Sequence, residues 1–219
     1  MKNLPKQIVI YGGTGQARVV RPILERNHCE VMAIVDDTPK IESPFPDVEF
    51  LNGFDQLKSW LKKNNNLQIG FVIAIGNPHG EVRLNLQKRL ENIGLISMSV
   101  IHEDAIIAKN CQIGKGVQIM PGAIIMPGAK VGDQCIINTK ASLDHDSILG
   151  NGCELAPGST VCGEVKIHDN SWIGAGATIL PKIVINKNVI VGAGALVNKD
   201  VEADSVVVGI PAKTLRKKR

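Results

Sequence analysis

Between residues 107 and 197 an aliphatic side chain returns at every sixth position. The row runs Ile107, Ile113, Ile119, Ile125, Val131, Ile137, Leu143, Leu149, Leu155, Val161, Ile167, Ile173, Ile179, Ile185, Val191 and Val197, and Ile101 extends it backwards. A helix repeats every 3.6 residues and a strand every two, so neither requires this spacing. An uninterrupted period of six predicts a parallel β-helix built from hexapeptides. Four residues after each mark stands a small or β-branched side chain, among them Cys111, Ala123, Cys135, Ala141, Ser147, Cys153, Ser159 and Ser171. Turn formers such as Pro121-Gly122, Pro127-Gly128, Asn151-Gly152 and Pro157-Gly158 occupy the positions between. Each hexad reads as a short strand plus a corner, with the aliphatic mark and the small residue turned inward. Three hexads close a triangular coil of eighteen residues, and roughly five coils stack at about 4.8 Å.

The N-terminal part has another texture. Residues 8–11 form a short apolar strand that runs into Gly12-Gly13-Thr14-Gly15, and a helical stretch follows to Arg26. Residues 31–35 form a second strand, ending in Asp36-Asp37. Residues 54–63 read as a helix with Phe54, Leu57 and Leu61 on one face, and 69–75 as a strand buried on both sides. Asn77-Pro78 then caps a helix whose Val82, Leu86, Leu90 and Ile93 fall at helical spacing. Alternating strands and helices predict a small Rossmann-like α/β domain with a parallel sheet over 1–98, followed by the β-helix over 99–219.

Composition narrows the class. An aromatic content of 3% suits a narrow prism lined by Ile, Val and Ala. No apolar run approaches the ~18 residues of a membrane span, and the start lacks a signal-peptide pattern, so a cytoplasmic protein without membrane contact is expected. Five cysteines without a CxxC pair argue against a disulfide framework or a structural zinc site. Cys111, Cys135 and Cys153 fall in interior slots as packing residues, the last two one coil apart as a reduced pair. A net charge of +4 is too mild to imply nucleic acid. Much of the excess lies in a basic tail, Lys213, Arg216, Lys217, Lys218 and Arg219.

Two places carry candidate chemistry. The first is the glycine loop, where a strand, a Gly-rich turn and a helix N-terminus precede an acidic strand end. Backbone N–H groups and the helix dipole favour an anion there, with Asp36 or Asp37 accepting hydrogen bonds from a ribose or base. Arg18 replaces the third glycine of the dinucleotide fingerprint, and an ordinary βα turn without ligand is the competing reading. A redox role for NAD is disfavoured, because under 100 residues provide about half of a dinucleotide site. The second is the corner Asp144-His145-Asp146. Imidazole removes a proton near neutral pH unaided, and an adjacent carboxylate fixes its tautomer and raises its basicity. Gly163 lies eighteen residues further, at the same corner, where its N–H is available to an oxyanion. A groove beside Gly174, Ala175, Gly192 and Ala193 admits a pantetheine arm, and the tail from Lys213 meets phosphates or is simply solvated. A solvated polar turn is the competing reading of the 145 corner, and His168-Asp169 reads as such a turn. A zinc-dependent anhydrase on the same prism needs three converging histidines, and His102, His145 and His168 do not share a column.

The whole chain resembles the two-domain bacterial sugar acetyltransferases of the hexapeptide superfamily. These include sialic acid O-acetyltransferases and N-acetyltransferases of UDP- or GDP-linked 4-amino sugars. The match rests on residues 10–16 (Ile-Tyr-Gly-Gly-Thr-Gly-Gln), Val35-Asp36-Asp37, Ala74-Ile75-Gly76-Asn77, His145-Asp146, Pro157-Gly158 and residues 208–213 (Val-Gly-Ile-Pro-Ala-Lys). The resemblance implies a left-handed prism, a homotrimer, and acetyl-CoA held between neighbouring prisms without a metal. It implies a sugar nucleotide on the N-terminal domain, at Gly12, Gly13, Thr14, Gly15, Gln16, Asp36, Asp37 and Asn77. It assigns the general base to His145, its partner to Asp146 and the oxyanion contact to Gly163. N-acetylation is the preferred expectation, with O-acetylation of a sialic acid or a non-catalytic sugar-nucleotide-binding module as alternatives. Two departures stand out. Gln16-Ala17 replaces a Gly-His or Gly-Lys pattern, and Glu154 stands nine residues past the base, where some relatives place a second histidine.

Overall fold

The computed structural model describes residues 4–65, 67–76 and 78–217. The chain divides into two units, Met1–Gly76 with Asn85–Val100, and Asn77–Leu84 with Ile101–Arg219.

The first unit is a five-stranded sheet in the order β3-β2-β1-β4-β5 with every pairing parallel. Its elements are β1 (Gln7–Tyr11), α1 (Gly15–Arg26), β2 (Glu30–Asp36), β3 (Glu49–Asn52), α2 (Gly53–Lys63), β4 (Ile69–Ile73), α3 (Gly80–Asn92), whose residues before Asn85 belong to the second unit, and β5 (Ile96–Ser97). The short strands β3 and β5 carry too few residues for a period and were not expected. On α1, Ala17, Val20, Ile23 and Leu24 are buried at helical spacing. On α2, Phe54 and Leu61 pack against the core around Leu57 as expected, and Trp60 adds to it, its indole N–H donating to Glu49 at 2.8 Å. On α3, Leu86 and Leu90 are buried but Val82 is exposed. The helix also starts at Gly80, beyond the anticipated Asn77-Pro78 cap, and Asn77 lies outside the described residues.

In the second unit, two-residue strands recur every six residues from β6 (Val100–Ile101) to β22 (Leu196–Val197). They stack into three parallel sheets whose partners are eighteen residues apart, as in Ile125↔Leu143 and Leu143↔Val161. From Ile119 onward the aliphatic marks are buried, whereas Ile107 and Ile113 are half-buried and Ile101 is exposed at the open first coil. From Ile113 to Val191, the third residue after each mark adopts left-handed backbone angles. Glycine fills this place at 116, 122, 128, 152, 158, 176 and 194, yet Gln134, Lys140, Asp146, Glu164, Asn170, Lys182 and Asn188 adopt it too. Interior slots carry hydrogen bonds between coils. The Ser147 and Ser171 hydroxyls donate to Cys162 O and Asn186 O, both at 2.9 Å, and the Cys135 thiol donates to Gly150 O at 2.9 Å. Cysteine thus substitutes for serine in this slot; Cys135 and Cys153 are buried and free, and burial pushes the Cys135 thiol up to about 12. A second ladder joins corners, as Asp133, Asn151 and Asp169 each accept the N–H of Lys115, Asp133 and Asn151 one coil earlier.

The C-terminal basic segment is not a loose tail. Strand β24 (Lys213–Lys217) pairs antiparallel with β23 (Ser205–Val208), and Lys217 bonds Glu202 at 2.6 Å. Lys218 and Arg219 lie outside the described residues.

Candidate active site

His145 stands two residues past the mark Leu143, so its side chain leaves the prism at a corner and is half exposed. Three contacts fix it. Its N–H donates to Asp144 Oδ1 at 2.7 Å, its carbonyl accepts the Glu164 N–H at 2.9 Å, and its Nδ1 meets Asp146 Oδ2 at 3.0 Å. Asp146 reaches back because its own backbone is left-handed, with φ +57°. Gly128, one coil earlier, leaves room for that carboxylate: a Cβ there would stand 2.3 Å from Asp146 Oδ1. The Asp146 hydrogen bond raises the imidazole above its ordinary value, and the charges of Asp144, Asp146 and Glu164 add to this. With Nδ1–H donating to Asp146, Nε2 becomes the acceptor.

Nε2 is turned towards Gly163. A Cβ at Gly163 would fall 2.4 Å from Nε2 and 2.6 Å from Cε1, so the ring occupies space only a glycine leaves open. Among the described residues, the Gly163 N–H donates to no acceptor, whereas its carbonyl accepts from Lys182 at 3.1 Å. The sequence-predicted trio of His145, Asp146 and Gly163 is therefore assembled on one corner. Cys162, beside Gly163, is the nearby thiol, and burial and the Asp144 charge raise it, away from a nucleophilic thiolate.

The expected cofactor corners divide. Ala175 and Ala193 are exposed one coil apart. Gly174 is buried, and a Cβ there would meet Ala193 N and Val191 O, both at 2.6 Å; a Cβ at Gly192 would meet Val208 at 2.8 Å. These two glycines serve coil stacking. Lys213 is exposed at the start of β24. Glu154 is buried at 5% exposure, where burial raises its carboxyl while Arg83 and a hydrogen bond from Asn138 oppose the shift. Arg83, which sequence reading missed, is 1% exposed and donates to Gln134 O, Gly152 O and Cys153 O. A charged residue within an apolar helical spacing was the only available signal.

In the first unit, β1 lies between β2 and β4, and the crevice at its carboxyl end is the topological switch point. Gly12 has φ +111°, and a Cβ there would strike Ala74 O at 2.4 Å. Thr14 precedes α1 without a side-chain capping bond, and the first turn, from Gly15 and Gln16 onward, holds no acidic residue. Asp36 is committed to the loop itself: its oxygens accept the N–H groups of Gly13 at 2.6 Å and Thr38 at 2.8 Å. Burial would raise this carboxyl, but those hydrogen bonds outweigh it and hold it below the ordinary value. Asp37 is the exposed carboxylate and accepts the Tyr11 hydroxyl at 2.8 Å. Among the described residues, no group of three His, Cys, Asp or Glu side chains is placed to hold a metal. No described helix is long and apolar enough to cross a membrane.

An imidazole, its orienting carboxylate and an open N–H on a hexapeptide prism form a corner suited to acyl transfer. Residues 98–132, 110–143 and 164–199 match the bacterial transferase hexapeptide (six repeats) family, and residues 7–90 match the PglD N-terminal domain. PerB from Caulobacter crescentus, solved with CoA and GDP-perosamine, is 32% identical, with 95% of this chain and 96% of that one covered and a TM-score of 0.85. The acetyltransferase domain of PglB from Neisseria gonorrhoeae, solved with acetyl coenzyme A, is 26% identical over 96% and 100% of the chains, with a TM-score of 0.84. WeeI from Acinetobacter baumannii is 28% identical over 95% and 99%, with a TM-score of 0.85. The chain belongs to the bacterial hexapeptide-repeat sugar acetyltransferases, and its prism is the left-handed parallel β-helix of that family.

Proposed function

We propose that the protein transfers an acetyl group from acetyl-CoA to the amino group of a UDP- or GDP-linked 4-amino-6-deoxy sugar, in bacterial surface-glycan biosynthesis. The observation that carries this reading is the imidazole held by Asp146 with Nε2 facing the open N–H of Gly163. His145 takes a proton from the sugar amine as it attacks the thioester carbonyl. The Gly163 N–H stabilises the oxyanion, and the C–S bond breaks to release CoA. The raised Cys162 thiol favours direct attack over an acyl-enzyme. The pantetheine arm runs along Ala175 and Ala193, with Gly174 and Gly192 keeping the coils close beneath it and Lys213 meeting phosphates.

The sugar nucleotide lies at the switch-point crevice, against Gly12, Gly13, Thr14, Gly15 and Gln16, with Asp37 rather than Asp36 offering an exposed carboxylate. A half-exposed corner gives acetyl-CoA only one wall, which supports a homotrimer whose neighbouring prism supplies the other. Both substrates are cytoplasmic metabolites, and the reaction belongs there. The test is mass spectrometry of products from acetyl-CoA and a panel of amino-sugar nucleotides, GDP-perosamine included, beside sialic acids. An amide on a nucleotide sugar is expected. An acetyl ester on a sialic acid would replace this reading with the O-acetyltransferase one, and no product at all would overturn it.

A further inference from the structure

Three carboxylates surround His145, and two are already engaged. Asp146 holds Nδ1, and Asp144 accepts the His145 backbone N–H. Glu164 is different. Its backbone N–H bonds His145 O at 2.9 Å, its side chain is half exposed next in the chain to Gly163, and its charge acts on the imidazole. Among the described residues its carboxylate accepts no hydrogen bond, and its one cation is Lys182 Nζ at 3.7 Å. Glu164 also holds the left-handed backbone position, φ +60°, that glycine fills at 128, 152 and 176. Beside a corner that has to take an amine, a half-exposed carboxylate suits the locally cationic ammonium of the acceptor.

We propose that Glu164 is a specificity-determining residue that receives the protonated amine of the acceptor and steers it to His145. The proposal rests on the acetyltransferase reading above. The ammonium docks on Glu164 and loses one proton to solvent. The neutral amine attacks the thioester carbonyl, the C–N bond forms and the C–S bond breaks. The second amine proton passes to Nε2 and from there to the departing thiolate. Lys182 competes with the ammonium for the same carboxylate.

The experiment measures KM for acceptor and for acetyl-CoA separately, in the full-length protein, with an amino-sugar nucleotide that the wild type acetylates. Glu164→Gln keeps the side chain's shape and removes its charge. It is expected to raise acceptor KM roughly five- to tenfold, to leave acetyl-CoA KM unchanged or lower, and to lose this effect at high salt. Lys182→Met is expected to lower acceptor KM. An acceptor KM unchanged in Glu164→Gln, or a parallel rise in both KM values, would overturn the proposal while the wild-type activity stands. A wild-type protein that acetylates no amine overturns the underlying reading, and this one with it.

Discussion

The prism carries the dipeptide His-Asp twice, at 145–146 and at 168–169, and the two corners are built differently. His145 stands two residues past its mark, His168 only one. That single step decides what each neighbour does. Asp146 takes the left-handed position and turns back to the imidazole, whereas Asp169 takes the preceding position and accepts the Asn151 N–H at 2.7 Å. One coil onward, His145 meets Gly163, while the residue eighteen past His168 is Asn186. Phase within the hexad, rather than the dipeptide, separates an imidazole held by its carboxylate from a rung of the coil ladder.

Substitutions in parallel at the two corners test this contrast. His145→Ala is expected to lower kcat by roughly 10²- to 10⁴-fold, and His168→Ala to leave it within twofold; equal effects would erase the distinction. Gly163→Ala drives a methyl into the imidazole, and about 10²-fold is expected to vanish from kcat. The ring end can swing aside, so thermal unfolding should move little. Asp146→Asn keeps an acceptor for Nδ1 but removes the charge. The base works when neutral, so the wild-type kcat/KM should rise with pH through a midpoint above about 6.5. In the variant that midpoint should fall and the plateau drop about tenfold. Asp169→Ala is expected to leave the profile untouched and to cost about 1 kcal/mol of stability through the lost rung, read by urea denaturation.

The prism was legible because one interior constraint recurs at every hexad: a narrow core accepts only an aliphatic mark and a small companion. Counting eighteen residues from His145 sufficed to find Gly163. The α/β domain offered less. Its core is shared between sheet and helices, so Trp60 is buried beside the face that the spacing gave to Leu57 and Leu61, whereas the buried Arg83 belongs to the second unit, bonded to Gln134 O and Gly152 O. Glycine proved ambiguous. Gly174 and Gly163 look alike in sequence, yet the first answers to the coil above it and the second to an imidazole. Asp36 and Asp37 were equally open, and only the hydrogen bonds to Gly13 and Thr38 separate the structural carboxylate from the exposed one.

Because each turn of the spiral adds a fixed rise, the axial distance from the imidazole to the basic strand after residue 212 is quantised. Duplicating one eighteen-residue turn downstream of residue 164 would leave the base and its glycine intact while displacing Lys213 by about 4.8 Å. If the proposed cofactor path holds, the number of turns acts as a built-in gauge, setting how long a thioester-bearing arm can reach both ends at once.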